Sequence, residues 1–246
     1  MTEKTLNVIW YCPSVLNLHG DRGNVMALER VAAQLGLALK VCRVEKPGDP
    51  LPLDDADLLF FAPGQVRDMP VLAEALAAEK EELTAYAAKG GAVLAVGTAG
   101  CLLAEETERT DGSRFAGLGL LPMTCREREK VYGDDIWFTT AAGTEIIGCQ
   151  IQVVDTVLRE GALPCGELIY GRGNNGGKDE GCRRDNVIFT NTLGPLLVKN
   201  PRFTQALLEQ LANRAGIAAE TPGAVDTDYE DKSAELIRAF IKKKMA

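Results

Sequence analysis

Two stretches of small residues follow buried-type apolar runs, and such stretches can form a catalytic turn. Residues 92–96 are an apolar run of strand length, and the small residues 97–100 follow at once. An earlier run, residues 56–61, is closely followed by Gly64 and Gln65. Small residues let a chain turn sharply and direct amide N–H groups at a developing anion. A strand–turn–helix of this kind is typical of a nucleophile elbow, although the spacing alone identifies no reaction.

The chain offers no clustered set of side chains for metal or disulfide chemistry. Its single histidine is His19, and its seven cysteines include no Cys-x-x-Cys pair. A zinc site needs clustered Cys and His, and a disulfide framework suits small secreted domains. We therefore predict reduced thiols that mostly fill the core, and no cofactor or metal in this chain.

Composition limits the partners that the chain could bind. Acidic residues outnumber basic ones by 35 to 27, so the formal net charge is −8. This excess disfavours generic binding to nucleic acid or to an anionic membrane. A membrane-spanning helix needs about 20 consecutive apolar residues, and no stretch of the sequence is that long. The first residues do not have the composition of a signal peptide. We expect a soluble, cytoplasmic protein.

Strands and helices that could position the two turns alternate through the first half of the chain. Residues 6–12, 38–44, 56–61 and 92–96 are predicted strands, and apolar residues at helical spacing lie between them. Such alternation predicts a parallel sheet that is covered by helices on both faces.

The second half of the chain lacks this alternation. Residues 130–140, 145–158 and 186–192 are predicted strands without helices between them, so we expect antiparallel pairing at one edge of the sheet. Residues 1–218 are predicted to form one α/β domain. Residues 219–246 are predicted to form a linker and a C-terminal amphipathic helix.

The tail helix is predicted to bury one apolar face. Ala234, Ile237, Phe240 and Ile241 fall on that face at helical spacing. An apolar face must be covered by its own domain or by another chain. We expect it to dock on its own domain, with a partner interface nearby.

Five short segments, spread over nearly the whole chain, match the motifs of one family. Residues 17–24 match N-L-x-x-D-x-G-N and residues 170–175 match Y-G-x-G-N-N. Residues 60–64, 117–121 and 193–195 match further family segments. In these motifs the chain resembles class I glutamine amidotransferases of the cobyric-acid-synthase-like branch. Within that branch it is most similar to GatD-type glutaminase subunits of lipid II isoglutaminyl synthase.

The resemblance implies a fold and a partner. The fold would have three layers, flavodoxin-like, with a mostly parallel sheet, antiparallel edge strands and a helical tail. Subunits of this type hydrolyse glutamine and pass ammonia to MurT, a protein of the Mur ligase family. That partner uses ATP to amidate the D-glutamate of the peptidoglycan stem. The resemblance therefore implies a heterodimer with a MurT-like partner, in which ATP and magnesium belong to the partner.

Two catalytic positions of the family are changed in this chain. The family elbow I-C-G-G-Y-Q falls on residues 96–101 and puts Gly97 at the position of the cysteine nucleophile. The family segment L-H-G-P falls on residues 192–195 and puts Leu193 at the position of the catalytic histidine. Glycine has no nucleophile and leucine carries no proton, so we interpret the chain as a pseudo-amidase.

The same match assigns the substrate pocket. Gly64, Gln65 and Lys130 are predicted to line it, with Lys130 in place of the family's glutamine-contacting arginine. His19 falls in the loop before the first helix and not beside the fourth strand. We therefore expect His19 to be a solvated loop residue and not a substitute base.

Cys101 and Thr98 are the remaining candidate nucleophiles. Cys101 would lie about one helical turn past the elbow and point back over the preceding turn, which favours inert packing. Thr98 would occupy the elbow only if the match shifted by one residue, and it would lack a base. Three functions stay open: a non-catalytic subunit of a ligase, an amidotransferase or hydrolase with a relocated nucleophile, and a small-molecule-binding module without enzymatic activity.

Overall fold

The structure is a computed structural model that describes residues 5–217 and 225–246. Its helices are α1 (Arg22–Gln34), α2 (Met69–Ala77), α3 (Lys80–Ala88), α4 (Gly100–Leu103), α5 (Leu196–Lys199), α6 (Pro201–Ala215) and α7 (Asp228–Met245). Its strands are β1 (Leu6–Tyr11), β2 (Leu39–Val44), β3 (Leu58–Phe61), β4 (Ala92–Val96), β5 (Glu106–Glu108), β6 (Arg114–Ala116), β7 (Met123–Thr140), β8 (Glu145–Leu158), β9 (Gly166–Tyr170), β10 (Asp179–Glu180), β11 (Cys182–Arg184) and β12 (Val187–Thr190). The predicted domain boundary between residues 218 and 219 lies outside the described residues, as do the first four residues.

The described strands form two sheets, of which the first carries the main core. Its order is β11-β12-β4-β3-β1-β2. The five neighbouring strands β2, β1, β3, β4 and β12 pair in parallel. Strand β11 pairs antiparallel with β12 and forms one edge of the sheet. Every residue of β3 and β4 is buried, as expected for parallel strands that are covered on both faces. The predicted α/β class, a mostly parallel sheet with an antiparallel edge strand, is confirmed.

The long strands of the second half form a second sheet, which we did not predict. β7 pairs antiparallel with β8, and β5 and β9 also pair with β7. We expected β12 to be antiparallel as well, but it lies inside the main sheet and is parallel to β4. Parallel neighbours need a long crossover, which is usually a helix. Between β4 and β12 the chain forms the second sheet, and this segment provides most of the crossover. The lack of a helix directly before β12 in the sequence pattern therefore misled the prediction of its direction.

Helix α7 docks on the second sheet. Its buried stripe consists of Ala234, Ile237 and Ile241, which pack in a cluster with Trp137. Phe240 is 54% exposed, so its predicted place on this face was wrong. Phe240 directly precedes Ile241, and successive residues of an α-helix are about 100° apart round its axis. Its side chain therefore lies outside the narrow buried stripe. No helix in the described part of the chain is long and apolar enough to cross a membrane.

Ion pairs hold both ends of α7. Near its start, Arg202 of α6 donates to the two carboxylate oxygens of Asp231 at 2.6 and 2.9 Å. Near its end, Lys244 Nζ donates to Asp134 Oδ1 at 2.5 Å and to Asp135 Oδ2 at 3.3 Å. Exposed ion pairs contribute at most about 1 kcal/mol each, so apolar burial at Ile241 is the larger stabilising contribution.

Replacing Ile241 tests this docking. Ile241→Ala is expected to lower the free energy of unfolding by about 2–4 kcal/mol, because it deletes a fully buried side chain. Leu236→Ala, on the same helix but 73% exposed, is the matched control and should change it by less than about 0.5 kcal/mol. Urea unfolding followed by circular dichroism measures both. Equal effects of the two substitutions would contradict the docked position of α7.

Candidate functional site

The turn after β4 is an elbow at the carboxyl end of the main sheet. Gly97 follows β4 directly and has φ +59°, in the left-handed region that favours glycine. A Cβ built on Gly97 would lie 3.1 Å from Leu193 Cδ2 and 3.2 Å from Pro63 Cβ. Leu193 therefore packs directly against Gly97. The two positions that the resemblance pairs as nucleophile and histidine are neighbours in space.

A cavity of about 340 Å³ opens beside this elbow. Its walls come from the loop before α1, the turn after β3, the elbow, and strands β7 and β8. Gly64 and Gln65, both predicted to lie at the pocket, are among its lining residues together with Gly97 and Leu193. The structure thus brings these four residues together.

The structure corrects the assignment of Lys130. Lys130 is exposed and does not line the cavity, whereas Arg128 does. The pairing of β7 with β8 shifts register between Glu127 and Tyr132. Such a bulge adds residues to one strand and redirects its side chains. Arg128 and Lys130 both lie in this irregular stretch, and of the two only Arg128 lines the cavity.

Arg128 is held by a network that leaves a positive charge at the cavity. Its Nη1 donates to both oxygens of Asp155, at 2.8 and 2.7 Å. Nη2 of Arg172 donates to the same carboxylate at 3.1 and 3.2 Å. Two guanidinium groups share one carboxylate, so one positive charge is not neutralised within this group. Glu127 also lines the cavity, but its carboxylate pairs with Arg109 at 3.4 Å, so the guanidinium of Arg128 can contact a carboxylate ligand there.

His19 is exposed in the loop before α1, as expected, but this loop lies beside the elbow, so His19 also lines the cavity. The loop that carries it is joined to the turn after β3, because Leu18 N–H donates to the Pro63 carbonyl at 3.0 Å. Although His19 is exposed, partial desolvation of its ring lowers the pKa of His19 below its ordinary value, which favours the neutral form. The contact joins two loops that are far apart in sequence, and no local pattern predicted it.

Neither alternative nucleophile is placed for catalysis. The Thr98 hydroxyl donates to the Gly64 carbonyl at 2.6 Å and accepts from the Gly64 N–H at 3.0 Å. Cys101 is 1% exposed and does not line the cavity. A hydrogen bond with Cys125 lowers the pKa of the Cys101 thiol, and burial opposes this shift. The thiol therefore faces another core cysteine. The described lining residues include no cysteine or serine.

The segment that matches N-L-x-x-D-x-G-N connects α1 to the chain after β12. The buried carboxylate of Asp21 accepts from Asn24 Nδ2 at 2.6 Å, and Asn24 Oδ1 accepts from Leu197 N–H at 2.7 Å. A Cβ on Gly23 would lie only 2.6 Å from Pro195 Cγ. Two motifs from opposite ends of the domain are thus packed together, and their roles are structural.

The described residues contain no obvious metal site or disulfide. In residues 5–217 and 225–246, no group of three or more His, Cys, Asp or Glu side chains could hold a metal ion. All seven cysteines are free thiols. The ionisable side chains that line the elbow cavity are His19, Glu127 and Arg128.

The family model of the CobB/CobQ-like glutamine amidotransferase domain matches residues 7–201, which include the elbow and the Leu193 segment. The chain belongs to this family. The resemblance inferred from the sequence motifs is confirmed.

Two relatives of this amidotransferase domain are GatD subunits of lipid II isoglutaminyl synthase (glutamine-hydrolyzing). The subunit from Streptococcus pneumoniae is 30% identical over 206 residues, which cover 82% of this chain and 79% of the relative. The subunit from Staphylococcus aureus is 28% identical over 243 residues, which cover 97% of this chain and 98% of the relative.

Solved structures are similar in fold. PurLQS from Thermotoga maritima superposes with a TM-score of 0.59 at 14% identity, covering 86% of this chain and 99% of the matched one. A crystal structure described as a glutamine amidotransferase gives a TM-score of 0.56 at 16% identity, covering 83% and 98%. The class I amidotransferase fold of the chain is therefore confirmed.

The contact between Gly23 and Pro195 can be tested in this amidotransferase domain. Gly23→Ala is expected to lower the free energy of unfolding by about 1–3 kcal/mol, because the added methyl overpacks the motif contact and outweighs the gain in helix propensity. Gly133→Ala is the matched control, since the nearest atom to its Cβ is 3.9 Å away. Urea unfolding compares the two. An equal, small effect at both sites would show that Pro195 does not pack against α1 as described.

The buried carboxyl of Asp21 predicts a pH dependence. Burial raises the pKa of Asp21 from 3.8 to about 7, and the hydrogen bond from Asn24 only partly lowers it. The folded chain therefore binds more protons than the unfolded chain between those values, so stability falls as pH rises through that window. Asp21→Asn should remove this contribution, whereas Asp54→Asn at an exposed site should leave the slope unchanged. Urea unfolding at several pH values measures the slopes, and identical slopes for both variants would contradict the prediction.

Proposed function

We propose that this chain is a GatD-like, amidotransferase-fold subunit without glutaminase activity of its own. It would pair with a MurT-like, ATP-dependent partner of the Mur ligase family and act in the amidation of the D-glutamate of a peptidoglycan precursor, lipid II. The observation that carries the proposal is the contact of Leu193 with Gly97 at the turn after β4, where the family has its nucleophile and its histidine.

The chemistry of amide hydrolysis supports the absence of activity. The family's route needs a thiolate to attack the amide and a neighbouring group to transfer the proton. Gly97 offers no attacking atom, and the methyl groups of Leu193 fill the space above it without carrying a proton. Without both groups, only backbone donors would remain, and attack by water is slower by several orders of magnitude.

The names of the two relatives support the partner assignment. Both are subunits of a glutamine-hydrolyzing synthase, so a chain of this family is expected to act beside a second subunit. ATP and magnesium would be bound by that partner. This chain would stabilise or regulate the partner, and free ammonia or another amine would replace ammonia derived from glutamine.

A small-molecule-binding module is the second candidate function. The positive charge at Arg128 and the neutral ring of His19 favour it, because both groups line the elbow cavity and can contact a carboxylate or a polar ligand. A hydrolase that uses Cys101 or Thr98 is less favoured. Cys101 is buried away from the cavity, and the Thr98 hydroxyl is bonded to the backbone of Gly64.

Glutaminase activity is the direct test. Purified chain, alone and with its co-purified ligase partner, is expected to release glutamate from glutamine only at the background rate. Cys101→Ala and Thr98→Val should leave that background unchanged, because Cys101 lies outside the cavity and the Thr98 hydroxyl is bonded to the backbone of Gly64. Glutamate release well above background that is lost in either variant would overturn the proposal and establish a relocated nucleophile.

A double substitution is the positive control for this assay. Gly97→Cys combined with Leu193→His would put a thiol and an imidazole at neighbouring positions of the elbow. The double variant is expected to release more glutamate than either single variant, and to be labelled by a glutamine-like electrophile at the substituted elbow position. No gain, in a double variant that folds and binds the partner, would contradict the assignment of the two positions.

A further inference from the structure

A second cavity, of about 470 Å³, lies where the two sheets meet. It shares no lining residue with the elbow cavity. Phe138, Ile146 and Leu196 line it and are each at most 2% exposed, and the partly exposed Ile188 and Phe203 line it further. Strands β7, β8 and β12 and helices α5 and α6 thus provide apolar walls. The volume lies within the roughly 300–1,000 Å³ of small-molecule sites.

Small residues keep the entrance of this cavity open. Ala141 and Ala142, in the turn between β7 and β8, and Ala206 on α6 are exposed and line it. Larger side chains at these positions would cover the apolar walls. Open apolar concavities on a soluble protein are unfavourable unless something occupies them, and they mark interaction sites.

Arg183 provides one positive charge at the cavity. It is the only charged residue among the described lining residues, although the whole chain has 35 acidic residues. No described residue forms a hydrogen bond or an ion pair with its guanidinium group. Arg183 lies opposite Ile188 in the pairing of β11 with β12, so the two side chains share the face that lines the cavity.

The buried acid Glu180, which is hydrogen-bonded to the lining residue Thr190, has other partners than Arg183. Glu180 accepts from the Thr190 hydroxyl at 3.0 and 3.1 Å and from the Asn191 N–H at 2.7 Å. Thr190 lines the cavity, whereas Glu180 does not. Burial raises the pKa of Glu180 to about 7, so its carboxyl is partly protonated near neutral pH. Its repulsion of an anion at Arg183 is correspondingly reduced.

We propose that this cavity binds a single-chain carboxylate, an apolar acid whose chain lies on Phe138, Ile146 and Leu196 and whose carboxylate pairs with Arg183. A guanidinium group matches the two oxygens of a carboxylate. A phosphate dianion would need a second cation, and the described lining residues contain none. This site lies outside the elbow, and its occupancy does not depend on the function proposed for the elbow.

Decanoate is the probe for this site. Isothermal titration of the full chain with decanoate is expected to give saturable binding at one site. Arg183→Gln should weaken it by about tenfold or more, because a charge-assisted hydrogen bond between ligand and protein is lost. Arg184→Gln, an exposed neighbour on the same strand, should leave the affinity unchanged. Decanol, which has the same chain without the charge, should bind at least about tenfold more weakly than decanoate.

A second pair of variants tests where the hydrocarbon chain of decanoate lies. It also tests the proposal without replacing Arg183, in case the Arg183→Gln variant does not fold. Ala206→Phe should fill the cavity and abolish decanoate binding, whereas Asn213→Phe, exposed on the same helix, should not. Circular dichroism checks that all variants fold. Absence of saturable binding, equal affinity for decanol and decanoate, or undiminished binding by folded Arg183→Gln or Ala206→Phe would each overturn the proposal.

Discussion

The close approach of α1 to the chain after β12 is the constraint on which the site depends. Only a glycine at position 23 lets Pro195 pack against the start of α1. The hydrogen bonds from Asp21 through Asn24 to Leu197 hold the same contact from the polar side. Leu193 lies just before this anchored segment, so its side chain is positioned over the elbow. The family motifs in this chain therefore hold Leu193 beside Gly97 at the turn after β4.

Gly97 and Leu193, at the two positions that the resemblance assigns to the nucleophile and the histidine, form an apolar contact. Leu193 is 1% exposed and belongs to the main core, and its contact with Gly97 joins the elbow to that core. A cysteine and a histidine at these positions would need water and hydrogen-bonding partners, whereas leucine against glycine needs neither. The elbow is thus packed against the core on the side of Leu193, whereas His19 and Arg128 lie among the polar residues that line its cavity.

Much of this organisation could be predicted from the sequence, because it depends on local patterns. The parallel strands, the elbow and the neighbouring positions Gly97 and Leu193 follow from apolar runs and motif matches. Two errors in predicting which residues line the elbow cavity arose from three-dimensional geometry that the sequence pattern does not show. The bulge in β7 put Arg128 rather than Lys130 at the cavity, and a contact between distant loops brought His19 there. Neither bulges nor contacts between loops leave a periodic signal in the residues that form them.

The route of the chain through the second sheet also has a consequence for biosynthesis. β4 pairs with β12 in the finished sheet, but β12 is made only after the whole second sheet. While the ribosome completes that excursion, β4 presents an open, wholly apolar edge that could pair with another nascent chain. The high contact order of this pairing slows its formation. Until β12 is in place, this edge of β4 is therefore the part of the main sheet most exposed to incorrect strand pairing.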